Sequence, residues 1–291
     1  GPLSKAFTAI TQILNKKSGQ LLSKMDILDV MNWLGTVLSS RRSAEIALVY
    51  HDTPEWEQFA RAKDNLATSP HRSQSNNSVV FWKEPTDAQL GQVFEIIKES
   101  GGSEPGIING AEARRRAPWF SGVNPCAEIL LGNKAFCNLT EVDVGKFRDD
   151  NGGLDRALYV TARANYRQTL VNLDDGILPK LREAGYHVVV NPIDEHNAIV
   201  TFPVCWDDIR FTKEGDKYVN NETALEQLAR YKLLMDSYVE QNCSITVSYK
   251  EDEVPGIREW LKTNWSSYVG VSFLPVTNTV YAYLPQEVVT E

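Results

Sequence analysis

The chain has 291 residues, 42% of them hydrophobic and 23% charged, enough for one large domain or two ordinary ones with a substantial core. A formal net charge of −8 argues against a nucleic-acid-binding surface, and the one dense basic run, Arg114-Arg115-Arg116, reads as a solvated face. No apolar run approaches the roughly 20 residues that span a bilayer. No secretory signal is visible, so the four cysteines are expected to stay reduced in a cytoplasmic setting.

The predicted elements alternate between helix and strand. Ile10, Ile13 and Leu14, then Leu28, Met31, Leu34 and Leu38, recur near a 3.6-residue period and predict helices within residues 5–50. Asp26 stands where a helix cap is expected. Residues 44–50 predict a strand buried on both faces, and 54–65 a short polar helix. Val79-Val80-Phe81-Trp82 is a strand by β-propensity. Residues 86–100 predict an amphipathic helix stopped by Gly101-Gly102, followed by a turn and a short strand at 104–108.

Residues 124–139 show no clean period and read as a long loop. A helix is expected over 154–170, another over 178–184, and strands at 186–190 and 198–204. Helices at 223–238 and 256–265, with strands at 244–249 and 270–274, complete an α/β pattern.

The chemistry concentrates at Asn124-Pro125-Cys126-Ala127-Glu128 and, eleven residues beyond Cys126, at Cys137-Asn138-Leu139. On a tight loop, Asn124 can hydrogen-bond a substrate hydroxyl, and Glu128 can accept a proton from a neighbouring one. Cys126 can serve as nucleophile, metal ligand or radical site, and Cys137 can take part in thiol–disulfide exchange. The competing reading is that both cysteines are small buried hydrophobes, and that reading is the stronger one for Cys205 and Cys243. There is no CxxC, and His51, His71, His187 and His196 do not sit at metal-ligand spacing with the cysteines, so no metal site is expected.

Asn124-Pro125-Cys126-Ala127-Glu128-Ile129 followed by Phe136-Cys137-Asn138-Leu139 resembles the finger loop of ribonucleotide reductases. Arg41-Arg42-Ser43-Ala44-Glu45-Ile46-Ala47, Ser75-Asn76-Asn77-Ser78-Val79, Glu104-Pro105-Gly106 and Gly270-Val271-Ser272-Phe273-Leu274-Pro275 narrow the likeness to the monomeric, adenosylcobalamin-dependent (class II) ribonucleoside-triphosphate reductases.

That resemblance implies a ten-stranded α/β barrel with a central finger loop, here partial or shortened, with residues 1–291 forming a catalytic barrel portion. It implies adenosylcobalamin as cofactor and reduction of ribonucleoside triphosphates to 2′-deoxyribonucleotides. Cys126 matches the thiyl-radical cysteine, Glu128 the base on the 3′ hydroxyl and Asn124 the amide on the ribose hydroxyls. Cys137 matches one half of a redox pair that becomes a disulfide and is restored by a thioredoxin-like reductant.

Ala127 stands where many relatives have glycine, which matters if the loop needs a positive φ there. No cysteine precedes Cys126 to match the other redox half, and a phosphate loop of the family is not found between 171 and 177. An internal junction is therefore expected near 172–177. The alternative expectation is a non-catalytic or split-enzyme subunit, completed by a second chain carrying the N-terminal barrel half.

Overall fold

The computed structural model describes residues 1–38, 46–135, 177–191, 194–201, 211–214 and 217–276, together with Cys137, Arg156, Tyr159, Val160, Thr161 and Arg163. Outside them lie Arg41 to Glu45, Phe136, Asn138, Leu139, Cys205, most of the helix expected at 154–170 and all but the last residue of the junction expected near 172–177. The chain divides into two compact units, residues 1–135 with 209–291, and residues 136–208.

The first unit opens with two helices, α1 (Pro2–Lys16) and α2 (Lys24–Leu38). Ser23, not Asp26, caps α2. The Asp26 amide donates to Ser23 Oγ at 3.1 Å and the Ser23 amide to Asp26 Oδ2 at 2.8 Å, so Asp26 is the reciprocal partner three residues into a capping box. Strand β1 (Ile46–Tyr50), the short α3 (Trp56–Ala60), β2 (Asn76–Phe81), α4 (Asp87–Ser100), β3 (Gly106–Asn109) and α5 (Gly110–Arg116) follow. Helix α4 keeps its predicted bounds because its signals are local. Thr86 and Gln89 form a capping box, and Gly101 takes the left-handed conformation, φ 66°, that ends it.

A two-stranded hairpin comes next, β4 (Gly122–Val123) and β5 (Leu130–Leu131). The second unit contains α6 (Ile177–Glu183) and an antiparallel pair, β6 (His187–Asn191) and β7 (Asp194–Thr201). Back in the first unit, β8 (Phe211–Glu214) pairs with β9 (Lys217–Asn220), a hairpin the periodicity does not predict. The chain then runs through α7 (Ala224–Ser237), β10 (Thr246–Tyr249), α8 (Val254–Thr263) and β11 (Gly270–Pro275).

The main sheet has the order β1-β2-β3-β11-β10. Strands β1, β2 and β3 are parallel, β10 and β11 are parallel, and the two blocks meet antiparallel between β3 and β11. Strands β2 and β3 are buried on both faces, as central parallel strands usually are. On one face, Phe94 of α4 lies with its ring centroid 5.0 Å from that of Phe273 and 5.9 Å from that of Tyr249, inside a core that includes Ile107, Ile257 and Leu261.

The opposite face includes Ser78, Gly106 and Ser272 beside the apolar Val80 and Ile108. A Cβ built on Gly106 would lie 2.7 Å from Ser78 Oγ and 3.2 Å from Ser272 Oγ, so the two hydroxyls flank a glycine across three strands. The described residues form five strands of an open sheet. The closed ten-stranded barrel of the resemblance is not displayed by them.

Apolar side chains remain exposed on α1 (Leu3, Phe7, Leu14) and on α2 (Ile27, Met31, Leu34). No helix among the described residues is long and apolar enough to cross a membrane.

Candidate active site

The segment expected as an unbroken loop is a hairpin, and its geometry follows from its sequence. Val123 and Leu130 face each other across β4 and β5 and are both buried, which pins the two arms. At the tip, the Ala127 amide donates to the Asn124 carbonyl at 2.9 Å, closing a four-residue turn. Asparagine at the first position and proline at the second are the residues such a turn favours, since Pro125 arrives with φ already near the required value. Cys126 is then the outer corner of the turn, and its side chain is exposed. Ala127 sits at φ 63°, in the left-handed region.

Asn124 closes the loop a second time. It is 1% exposed, and its Oδ1 accepts from the Ile129 amide at 2.9 Å while its own amide donates to the Ile129 carbonyl at 3.2 Å. Glu128 lies between these clamped positions. Its Oε2 is buried and, among the described residues, has no hydrogen-bond partner. A buried carboxylate oxygen without a donor is costly, so it is the atom of this hairpin best placed to take a hydroxyl from a ligand.

Three side chains from outside hold the hairpin. Asn76 Nδ2, at the start of β2, donates to the Pro125 carbonyl. Asn76 is fixed by its neighbours: the Ser75 amide donates to Asn32 Oδ1 at 3.0 Å, and the Asn77 amide to Glu104 Oε2 at 3.0 Å. From the segment between α7 and β10, Asn242 Nδ2 donates to the Ala127 carbonyl at 2.8 Å, and Gln241 Oε1 accepts from the Leu130 amide at 2.6 Å. That segment is itself braced by Arg116, whose guanidinium donates to the carbonyls of Val239, Glu240 and Met235 and to Glu112.

Asn124, Cys126 and Glu128 are thus brought together on one hairpin of the first unit. Cys137 is half-buried and belongs to the second unit. Cys243 is half-buried, burial pushes its thiol pKa up, and its amide donates to Met235 Sδ at 3.3 Å, which fits a packing role. Of the three arginines read as a solvated face, Arg115 is exposed and Arg114 lies 4.5 Å over the Trp82 ring, but Arg116 is largely buried against the carbonyls named above. Among the described residues no cluster of three or more His, Cys, Asp or Glu side chains is arranged to hold a metal ion.

Sequence reasoning does not single out Gln241 and Asn242. Their only signal is an amide pair a few residues ahead of a strand, and the hairpin residues they hold lie more than 100 residues away.

No family model matches the chain. Among curated proteins, the adenosylcobalamin-dependent ribonucleoside-triphosphate reductase of Lactobacillus helveticus is 33% identical over 187 residues, which cover 60% of this chain and 24% of that protein. The reductase of the same name from Lactobacillus acidophilus is 29% identical over 204 residues, 65% of this chain and 27% of that protein. The chain therefore spans about a quarter of the length of the curated relatives it matches. A crystal structure of a B12-dependent (class II) ribonucleotide reductase superposes with a TM-score of 0.65 at 18% identity, covering 99% of this chain and 57% of that one. The fold is that of this class of reductase, and the curated relatives carry the name to which the sequence resemblance points.

Proposed function

We propose that this chain is the catalytic-loop portion of an adenosylcobalamin-dependent ribonucleoside-triphosphate reductase. The observation that carries the reading is the hairpin tip. An exposed thiol stands at the corner of a closed turn, two residues from a carboxylate whose buried Oε2 has no donor.

In this reading Cys126 becomes a thiyl radical and takes the ribose 3′ hydrogen. Glu128 Oε2 accepts the proton of the 3′ hydroxyl, which gives the orphaned oxygen its donor. Asn124 faces the ribose hydroxyls through its amide group while its Oδ1 keeps the loop closed on the Ile129 amide. The 2′ hydroxyl takes a proton that derives from the redox thiols and leaves as water, and a hydrogen from the same thiols goes to C2′. Cys126 at the end returns the hydrogen to C3′, so that it starts and finishes as a thiol. The two electrons come from Cys137 and a second thiol, which end as a disulfide, and a thioredoxin-like reductant restores them in a reducing, cytoplasmic setting.

When bound, adenosylcobalamin supplies the one-electron chemistry that activates the thiol. The residues present fit that group in one respect, namely that the Cys126 side chain is exposed at a loop tip and open to approach by a large cofactor. The corrin carries its own cobalt, so no protein metal-ligand cluster is called for. The test is anaerobic conversion of a ribonucleoside triphosphate to its deoxy form with adenosylcobalamin and dithiothreitol, compared between Cys126 and Cys126→Ala.

A second reading concerns assembly. The apolar side chains exposed on α1 and α2, and the edges of β1 and β10, which pair with no further strand among the described residues, favour a further chain or segment that covers them and supplies more barrel strands. Co-purification with, or activation by, a polypeptide carrying the N-terminal barrel half tests it. A well-behaved monomer that such a polypeptide neither binds nor activates counts against it.

A further inference from the structure

Asn242 is 4% exposed and uses both ends of its side-chain amide. Oδ1 accepts from the Tyr231 hydroxyl at 2.7 Å and from the Gly270 amide at 3.3 Å. Nδ2 donates to the Ala127 carbonyl at 2.8 Å and to the Gly270 carbonyl at 3.4 Å. The hydroxyl of Tyr231, a buried residue of α7, in turn accepts from the Val269 amide at 3.2 Å. The amide's orientation is therefore fixed: the oxygen end is committed to donors from α7 and β11, which leaves the NH2 end aimed at the hairpin.

The contact is also close on the apolar side. A Cβ at Gly270 would lie 3.2 Å from Asn242 Nδ2 and 3.4 Å from Ala127 Cβ, so β11, the asparagine and the hairpin tip meet with no slack. Ala127, the residue held, follows Cys126 directly and carries the left-handed backbone of the turn. A residue in that conformation persists only where its surroundings over-determine it.

We infer that Asn242 is a positioning residue. It sets where the Cys126 thiol stands by holding the Ala127 carbonyl from outside the hairpin, and Tyr231 sets the orientation of Asn242. The role for catalysis rests on the reductase reading, but the positioning itself does not.

Asn242→Asp keeps the acceptor for Tyr231 and Gly270 and removes the donor to Ala127, so it tests the inference directly. Amide hydrogen exchange at Ala127 and Ile129 should accelerate about tenfold, the scale of one lost buried hydrogen bond. Exchange at Val247 and Phe273, in the core of β10 and β11, should stay at the wild-type rate. Peptide-resolved alkylation of Cys126 by iodoacetamide should change in rate, while that of Cys243 should not.

Tyr231→Phe, which leaves the hairpin contact in place and frees the amide to turn, should produce a smaller change of the same pattern. It is the variant to read if Asn242→Asp does not fold. Wild-type exchange at Ala127 and Ile129, or acceleration spread evenly over the hairpin, β10 and β11, would overturn the inference. Neither readout involves turnover, so a failure of the reductase reading is separable from a failure of this one.

Discussion

The amide of Ala127 donates to the carbonyl of Asn124 at 2.9 Å, and the turn it closes holds Ala127 at φ 63°. A Cβ in the left-handed region costs about 1–2 kcal/mol, against about 0.4–1 kcal/mol of extra chain entropy that glycine loses on folding. Ala127→Gly should therefore stabilise the protein by a net of about 0.5–1 kcal/mol. A urea titration reads this as a higher midpoint with an unchanged slope, and a lower midpoint would contradict it.

Arg116 and Arg115 both bind Glu112, but they are not equivalent. Glu112 is buried, and burial alone would raise its carboxyl pKa, yet the hydrogen bonds from the two arginines bring it below the usual range. Arg116 also covers carbonyls at the end of α7 and just beyond it, whereas Arg115 is exposed. Arg116→Ala should cost about 2–4 kcal/mol because it uncovers buried acceptors, and Arg115→Ala about 0–1 kcal/mol. Equal losses in thermal unfolding would refute this assignment.

Asp29 couples α2 to the segment before β2. Burial alone would raise its carboxyl pKa, but hydrogen bonds from Arg72 at 2.6 and 2.8 Å and from His71 at 2.9 Å hold it down to about 2. A carboxyl whose folded pKa lies below its unfolded value contributes stability that is full above the unfolded value, near 4, and is lost as the pH falls towards 2. Wild type should exceed Asp29→Asn by about 1–2 kcal/mol at neutral pH, a figure reduced for partial exposure, and the gap should close between about pH 4 and pH 2. A gap independent of pH over that window would contradict the ion-pair account.

A side chain at Gly270 would force its neighbours to shift. A Cβ there would meet Ile108 Cδ1 at 2.9 Å. Gly270→Ala should cost about 1–3 kcal/mol by overpacking, and less in an Ile108→Val background, where the offending methyl is gone. Additive losses in the double-mutant cycle would show that the clash is relieved elsewhere.

The parts of this fold that can be read from the sequence are those encoded within a few residues. Thr86, Gln89 and Gly101 announce both ends of α4, whereas residues 124–139 read only as a loop, because the two-residue strands of its hairpin are too short to show a period. Asp26 reads as the cap of α2, where Ser23 stands, because both residues of a reciprocal box carry the same type of signal. The insertion of β11, antiparallel, between β3 and β10 depends on pairings between distant segments that no local pattern records. The same holds for the site. Asn124, Cys126 and Glu128 are neighbours in sequence and can be read together, whereas Asn242 reaches Ala127 across 115 residues. The positive φ of Ala127 has no signal in its own residue type, since alanine is a residue that ordinarily avoids that region.

The most direct test of the account is the anaerobic assay with adenosylcobalamin, a ribonucleoside triphosphate and dithiothreitol, run on the chain alone and again with a polypeptide carrying the N-terminal barrel half added. The account predicts deoxynucleotide from the Cys126 protein and none from Cys126→Ala, with both proteins folded to the same extent. Product from Cys126→Ala at the rate of the unaltered protein, or none from either, would contradict it.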